Sequence, residues 1–308
     1  MYSSEYYVPS HITGFFVPFF SEDYKKTGSI GAGVSLSLGI KTLVRIKEGS
    51  GSVEVYSNET KKEKNTATVS FRCIDLLKEK YPKYFQNKDI LIEHENDVPL
   101  DSGFGASASA ALGICFSIKD FLGISGSETI RIAHETEVKN LSGLGDVVAE
   151  VKGGVEIRKT PGVDGIIENI PSEGLKVMAV SLGTKKTENV LKNSKKVKVI
   201  ERCGTKMLNK LIGEPTIERL MECSKTFTYK TDLMSREVLD LIEMMSEINS
   251  YCASGIMIGE GAFTFINEKD QIKLLDSLID TKGDIIISPI ASGLIGAKNG
   301  YTKKSSKI

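Results

Sequence analysis

Between Pro99 and Gly113 the chain reads PLDSGFGASASAALG, a glycine loop that runs directly into small residues. Gly103 and Gly105 allow backbone conformations that a side chain would block, and a helix that begins near Ala106 turns its unpaired N–H groups toward the loop. The helix dipole alone favours an anion there by roughly 0.3–1 kcal/mol, so several N–H hydrogen bonds and a metal ion must supply the remaining affinity for a phosphate. The segment therefore predicts a binding site for nucleotide phosphates.

This loop differs from two better-known phosphate loops. A P-loop needs a Lys followed by Ser or Thr after its last glycine, whereas Ala106, Ser107 and Ala108 follow Gly105. The glycine spacing is not that of a dinucleotide fingerprint either. Glycine loops before small-residue helices also occur as plain packing turns, and the loop alone leaves that alternative open.

A histidine and a carboxylate lie on one face of a predicted helix further along the chain. Ser125 and Glu128 have the spacing of a capping box, and apolar residues then recur at three- and four-residue spacing, which predicts a helix over residues 127–140. His134 and Glu137 share one face of this helix, where they are costly to bury unless something polar meets them. A solvated helix edge, or a His–Glu pair satisfied within the core, is the alternative.

Two more charged residues of interest follow this helix. The glycine-rich turn LSGLG ends at Asp146, just before an apolar segment, although Asp after Gly is also ordinary turn chemistry. Beyond it, VEIR at 155–158 reads as a strand in which alternation puts Glu156 and Arg158 on one face. Arg158 then either reaches inward from a sheet or is an exposed residue on an edge strand.

Several motifs together resemble those of one enzyme superfamily. The loop resembles the second motif of the GHMP kinases, usually PxxxGLGSSAA, with departures at Phe104, Ala106 and Ser109. The first residues read YVPSHITGFFVP, and GSIGAGV, AHETEV and GLGDV follow from residues 28, 133 and 143. These segments look like those of the archaeal pantoate kinases, which typically open PGHITGFF, so Ser10 is a further departure. The resemblance covers essentially the whole chain and is concentrated in its first half.

The resemblance implies a kinase that uses ATP and Mg²⁺ to phosphorylate the terminal hydroxyl of pantoate, a step toward coenzyme A. It implies that the loop holds the nucleotide phosphates through Gly103, Gly105, Ala106, Ser107 and Ala108. It also implies three catalytic residues, with Ser107 and Glu137 as Mg²⁺ ligands and Asp146 as the base that takes the hydroxyl proton. Pantoate itself is expected to bind to Ser29, His134 and Arg158.

Two alternatives to this function stay open at this point. The nucleotide motifs do not read the acceptor, so the first alternative is a GHMP kinase for another small alcohol, such as homoserine or a mevalonate-type acid. The second is a ligand-binding regulator that has the same fold and no turnover. The presence of Ser107, Glu137 and Asp146 together argues against the regulator.

Composition narrows the partners and the compartment. The chain of 308 residues has 40 acidic and 40 basic side chains, a balance that argues against a nucleic-acid-binding protein. Five scattered cysteines, never in CxxC spacing, indicate neither a disulfide framework nor a zinc site. The N-terminus does not resemble a signal peptide, and no apolar run is long enough to span a membrane. These features predict a cytoplasmic protein with no membrane or nucleic-acid partner, and they leave a homodimer open.

The elements that position these residues are predicted as a mixture of strands and helices. Strands at 33–46, 53–56, around 90 and 155–158 alternate with helices, and His94 reads as an exposed strand residue. Prolines and glycines at 161–171 mark a boundary between a first domain, 1–165, and a second domain, 166–308. The segment SGIMIGEG at 254–261 lies where the GHMP kinases have a third glycine motif, or it is a plain connecting turn. The resemblance and this order predict an α+β fold of the GHMP kinase type, with a mixed α/β first domain and a ferredoxin-like second domain.

Overall fold

The first sheet is built on a long hairpin of strands β1 (Tyr2–Phe19) and β2 (Gly28–Glu48). The computed structural model describes residues 1–184 and 194–294. Strand β2 also pairs with two further strands, at residues 40–48 and at residues 31–34. The other strands of this seven-stranded sheet are β3 (Val53–Ser57), β4 (Thr60–Lys62), β5 (Lys88–Asn96), β6 (Val155–Arg158) and β7 (Ile167–Ile170). Its order is β4-β3-β5-β2-β6-β7, with β1 on β2.

Helices that carry the candidate site pack on this sheet. They are α1 (Thr68–Lys80), α2 (Pro82–Phe85), α3 (Ala106–Leu122), α4 (Gly126–Asn140) and α5 (Asp146–Lys152). Helix α3 packs against β1, β2 and α4. The Ser125 side chain accepts a hydrogen bond from the Glu128 N–H, so α4 begins at the predicted cap. Within 1–184 and 194–294, no helix combines the length and the apolar character needed to cross a membrane.

The second sheet has the strand order of a ferredoxin-like fold. Its antiparallel strands are β8 (Lys176–Gly183), β9 (Ser254–Gly255), β10 (Glu260–Ile266) and β11 (Asp284–Pro289), in the order β11-β8-β10-β9. Its helices are α6 (Ser194–Gly213), α7 (Ile217–Thr231), α8 (Arg236–Ile248) and α9 (Glu268–Ser277). Helices α6 to α8 lie between β8 and β9, and α9 lies between β10 and β11, which gives the β-α-β-β-α-β pattern. The predicted α+β class is confirmed.

One apolar core joins the two sheets. Phe15 and Phe16 of β1 lie 6.2 and 6.0 Å, between ring centroids, from Phe227 of α7. The same buried cluster includes apolar residues of both sheets. Strand β7 pairs with β6, so the first sheet continues to Ile170, just beyond the expected boundary after residue 165. The division into 1–165 and 166–308 stays a prediction.

Candidate active site

The glycine loop adopts the left-handed backbone that its sequence requires. Gly103 has φ of +83°, and Gly105, the N-cap of α3, has φ of +66°. A Cβ at Gly103 would lie 2.7 Å from Ile256 Cγ2 and 2.9 Å from the Gly259 nitrogen. Glycine is therefore needed at Gly103 for space as well as for backbone conformation. The same contact places the 254–261 segment, which includes β9, directly against the glycine loop.

Ser107 and Glu137 meet at the start of α3. The Ser107 hydroxyl donates to Glu137 Oε2 at 2.9 Å, and the Ser142 hydroxyl donates to Oε1 at 2.6 Å. Burial raises the pKa of Glu137 to about 7, the Asp146 carboxylate adds to this, and the two hydroxyls oppose it. In the described ranges no three His, Cys, Asp or Glu side chains form a ready metal cage. A hydroxyl and one carboxylate suit Mg²⁺, which is usually held by one or two carboxylates together with substrate phosphates.

Asp146 lies at the first position of α5 and faces the cavity. Its side chain is 24% exposed, so the carboxylate is within reach of a bound molecule. His11 Nδ1 donates to Asp146 Oδ1 at 2.9 Å, and the Thr13 hydroxyl donates to the same oxygen at 3.4 Å. Burial acts to raise the pKa of Asp146, but the His11 hydrogen bond and the charges of His11 and Arg158 hold it below its ordinary value. Asp146 is thus kept as a carboxylate whose Oδ2 is not used by His11 or Thr13.

His11 lies fully buried between two carboxylates. Its Nε2 is 3.0 Å from Glu156 Oε1, while its Nδ1 bonds Asp146. Burial acts to lower the pKa of His11, but the charges and hydrogen bonds of Glu156 and Asp146 outweigh it, so the pKa is raised. An imidazole whose two nitrogens both face carboxylates donates from both only when it carries both protons.

Arg158 extends this group of charges. It is 1% exposed on β6, which lies between β2 and β7, so the exposed-edge interpretation is wrong. Its Nη1 pairs with Glu156 Oε1, whereas Nε and Nη2 are buried and have no hydrogen-bond partner among residues 1–184 and 194–294. A Cβ on Gly145 would lie 3.0 Å from Arg158 Nε and would clash with Ser29 Oγ. The unused edge of the guanidinium and the Ser29 hydroxyl therefore meet at the bare Cα of Gly145.

A cavity of about 670 Å³ connects these groups to a second region. Its lining includes Ser29, Ser107 and Asp146 on one side and the glycine loop. The other part, here called the nucleoside arm, is lined by Val55, Ser57, Lys62, residues 65–70, His94 and Asn96. The expectation that His94 is exposed is wrong, because its 6% exposed ring bonds Thr42 and Ser70, and burial lowers its pKa to about 4.

Comparison with known proteins places the chain in a family. Residues 68–154 match the model of the GHMP kinases N terminal domain. A pantoate kinase of Thermococcus kodakarensis is 34% identical over 278 residues, which cover 89% of this chain and 91% of the relative. A pantoate kinase of Methanocaldococcus jannaschii is 33% identical over 91% of this chain and 98% of the relative. The chain belongs to the pantoate kinase family of GHMP kinases.

A solved structure agrees with this assignment over the whole chain. The protein described as a phosphotransferase related to the CoA biosynthesis pathway superposes with a TM-score of 0.86 at 31% identity. The match covers 99% of this chain and 98% of the other. The predicted GHMP kinase fold and the recognition of the family from the sequence are confirmed.

Of the three predicted acceptor residues, Ser29 lines the cavity, whereas Arg158 and His134 are buried behind its wall. Arg158 lies next to the wall at Gly145, and His134 lies further away, under the β1–β2 connection. His134 Nε2 donates to the carbonyls of Tyr24 at 3.2 Å and Thr27 at 2.9 Å, and burial lowers the pKa of His134. These bonds hold the β1–β2 connection, which leads directly to Ser29. Its direct contact with pantoate stays a prediction, while its hold on this connection is observed.

Two side chains of this site, His11 and Glu156, were given no role from the sequence. His11 belongs to the HITGFF motif and Glu156 shares the alternating face of Arg158, and these were the available signals. Their partnership across the sheet is not visible in the linear order, because β1 and β6 meet only through β2.

Proposed function

We propose that the protein is an ATP-dependent kinase that transfers a phosphoryl group to the terminal hydroxyl of pantoate, giving 4-phosphopantoate for coenzyme A synthesis. The observation that carries the proposal is the buried Nε–Nη2 edge of Arg158, which has no hydrogen-bond partner in the part of the chain that the structure describes. Arg158 belongs, through Glu156 and His11, to the group of charges that holds Asp146. A guanidinium edge of this kind fits a carboxylate with two parallel hydrogen bonds. The pantoate kinase relatives support the same acceptor.

The nucleotide is assigned to the glycine loop and the nucleoside arm. The N–H groups at the start of α3 and the loop residues Gly103, Gly105, Ala106, Ser107 and Ala108 would hold the phosphates, and the arm would take the nucleoside. A cavity of about 670 Å³ lies within the usual range of roughly 300–1,000 Å³ for ligand pockets. Ser107 and Glu137 fit Mg²⁺ and would hold it, and the ion supplies neutralisation of the phosphate charge when bound.

Asp146 is assigned as the base. His11 and Thr13 both use Oδ1, which leaves Oδ2 to accept the proton of the acceptor hydroxyl. The hydrogen bond from His11 fixes the rotation of the carboxylate, so the orientation of Oδ2 is set before the acceptor binds. A base that is placed in this way typically contributes 10²–10⁴-fold to a rate.

Ser29 and Arg158 are assigned to the acceptor carboxylate. They meet at the Cα of Gly145, one residue before the base, so a small hydroxy acid held by its carboxylate is placed within reach of Asp146. His134 would act on the acceptor through the β1–β2 connection that it holds. We further expect the protein to work in the cytoplasm, where ATP is present and where five free thiols stay reduced. A homodimer stays an expectation.

The test is an ADP-release assay with pantoate, pantothenate, homoserine and mevalonate, followed by mass determination of the product. We expect wild type to release ADP with pantoate and to give a product heavier by one phosphoryl group. The matched Asp146→Asn protein should release ADP only at a small residual rate. If homoserine or mevalonate were the preferred acceptor, the assignment of pantoate would be wrong and the assignment as a kinase would stand. No acceptor-dependent release in the presence of Mg²⁺ would support a binding regulator instead.

A further inference from the structure

A continuous line of charged side chains joins Arg158, the proposed binding residue for the acceptor carboxylate, to Asp146, the proposed base. Arg158 Nη1 pairs with Glu156 Oε1, the same oxygen lies 3.0 Å from His11 Nε2, and His11 Nδ1 lies 2.9 Å from Asp146 Oδ1. Glu156 and His11 are completely buried, and Arg158 is nearly so. The line therefore alternates a cation, an anion, a cation and an anion, and its first three members are shielded from water while Asp146 faces the cavity.

The backbone makes room for this line at one glycine. Gly33 of β2 pairs with Thr13 of β1 on one side and with Glu156 of β6 on the other. A Cβ at Gly33 would lie 2.5 Å from His11 Nε2 and 2.8 Å from Cε1. The imidazole of His11 thus crosses β2 over a bare Cα, which is why a residue of β1 reaches a carboxylate on β6.

We propose that Glu156 is a positioning residue for phosphoryl transfer. It holds the Arg158 guanidinium by one nitrogen, so that the Nε–Nη2 edge stays free for the acceptor, and it holds His11 so that Nδ1 points at Asp146. Glu156 touches neither acceptor nor nucleotide, and it sets the geometry of both ends through its neighbours. This role rests on the proposed function, in which Arg158 binds the acceptor carboxylate and Asp146 is the base.

Loss of the Glu156 charge should therefore act on both ends of the line. Without it, Arg158 loses its only ionic partner in the described structure, and His11 keeps Asp146 as its one facing carboxylate. The other charged group that faces His11 is Arg158, whose Nη1 lies 3.5 Å from Nε2 and disfavours a protonated ring. His11 then loses its proton at lower pH. Because the protonated ring orients Asp146, we expect kcat to fall as His11 loses this proton, and this fall should occur at lower pH in Glu156→Gln than in wild type.

Glu150 offers a matched control. It is another fully buried glutamate, but its hydrogen-bond partner is the Ser109 hydroxyl at 3.1 Å, and no cation within residues 1–184 and 194–294 pairs with it. Burial, and the charges of Asp146 and Glu137, raise the pKa of Glu150 well above its ordinary value. Glu150→Gln changes a buried carboxyl group that holds no cation in place, whereas Glu156→Gln changes the one that pairs with Arg158 and His11.

The experiment compares purified Glu156→Gln and Glu150→Gln with wild type. Because hydrogen bonds to charged groups are at stake, we expect Glu156→Gln to raise the KM of pantoate and to lower kcat, each by roughly ten- to a hundredfold. The KM of ATP should stay within about threefold, and Glu150→Gln should be close to wild type in all three constants. Glu156→Asp should recover part of the loss, because it returns the charge at a shorter reach.

A second variant reads the line from its other end. The amide of His11→Gln can occupy the position of Nε2 and keep Glu156, but it does not reach Asp146, so kcat should fall while the KM of pantoate stays within a few-fold. If Glu156→Gln does not fold, the kcat and KM values of His11→Gln still test the proposal. Wild-type constants in either Glu156→Gln or His11→Gln would overturn the proposal, and so would an equal loss for pantoate and ATP. If wild type prefers another hydroxy acid, the proposed function fails. The kinetic constants of Glu156→Gln and Glu150→Gln are then compared with that acid as the acceptor.

Discussion

The acceptor end of the cavity and the nucleoside arm differ in the kind of side chains that surround them. At the acceptor end, His11, Asp146, Glu156 and Arg158 pack four charges into the protein interior. In the nucleoside arm, the lining is mostly uncharged, with Lys62 as its charged residue, and its histidine, His94, has a pKa lowered to about 4 by burial. The arm therefore offers mainly shape and neutral hydrogen bonds, whereas the acceptor end is built from buried charged groups that pair with one another.

This difference shows where the specificity of the reaction resides. A small hydroxy acid has few groups to recognise, so a buried guanidinium edge and an oriented carboxylate must do most of the selection. A buried N–H group without a hydrogen-bond partner is costly, and an acceptor that carries no carboxylate leaves the Nε–Nη2 edge of Arg158 in that state. Changes at the acceptor end should then affect the acceptor and the chemistry, and changes in the arm should leave both intact.

The largest effect is expected at the base. Asp146→Asn keeps the shape of the side chain but removes its ability to take a proton, so kcat should fall by roughly 10²–10⁴-fold. Both Michaelis constants should stay within a few-fold, because binding does not require the proton transfer. Steady-state kinetics at saturating Mg²⁺ measure this. A change confined to the Michaelis constants would make Asp146 a positioning residue.

The next effect is expected at the acceptor anchor. Arg158→Lys keeps a positive charge but replaces the planar fork by a point charge, and the KM of pantoate should rise roughly ten- to a hundredfold. ATP binding should hardly change. Arg131→Lys is the control, since Arg131 is a partly exposed arginine on α4 that pairs with Asp164 on the surface. Isothermal titration that shows wild-type affinity for pantoate in Arg158→Lys would remove Arg158 from the acceptor site.

A smaller effect is expected from one methyl group beside the anchor. Gly145 has φ of −138° and ψ of −15°, so alanine is not excluded there by a positive φ, yet its Cβ would press on Ser29 and Arg158. Gly145→Ala should raise the KM of pantoate by at least about fivefold, from the lower end of the 1–3 kcal/mol range for overpacking. Gly126→Ala is the control, because a Cβ at Gly126 meets nothing within 4 Å. Equal constants in the two variants would contradict the tight acceptor end.

The smallest effect is expected in the arm and concerns stability. The folded pKa of His94 is about 4 and its ordinary value is 6.5, so the unfolded chain binds the extra proton first as the pH falls. His94 should therefore lower the free energy of unfolding by up to about 1.4 kcal/mol per pH unit between its two pKa values, with no effect above them. Urea denaturation between pH 7 and pH 4.5 measures this slope. The slope should be smaller in His94→Gln, and an unchanged slope would contradict a buried His94 ring that stays uncharged in the folded protein.

Part of the site follows from local sequence. The glycine loop before α3 and the cap of α4 depend on neighbours within a few residues, and both were predicted. Local sequence left open whether Asp146 is a turn former and whether Arg158 is buried, and only the family resemblance gave these two residues a role. Strand β1 was not predicted, because Pro9 and Pro18 interrupt it and its residues are buried on both faces over long stretches. The structure accommodates Pro9 next to a register shift opposite Gly39.

The parts that the sequence did not reveal are long-range. His11 and Glu156 lie on strands that meet only through β2, and their pairing depends on the absence of a side chain at Gly33. By alternation His94 shares the face of the buried Ile90 and Ile92, and α1 covers this face, where Ser70 bonds the His94 ring. The expectation of an exposed ring followed the polar type of the side chain and not its place in the alternation.

The most direct test of the central claim is the ratio of kcat/KM for pantoate to that for its primary amide, which has the same terminal hydroxyl and no charge. Because the free edge of Arg158 is matched only by a carboxylate, we expect wild type to prefer pantoate by roughly ten- to a hundredfold or more. The preference should shrink in Arg158→Lys, measured with the same two compounds. Equal kcat/KM values for the acid and the amide in wild type would contradict an acceptor end built to recognise a carboxylate.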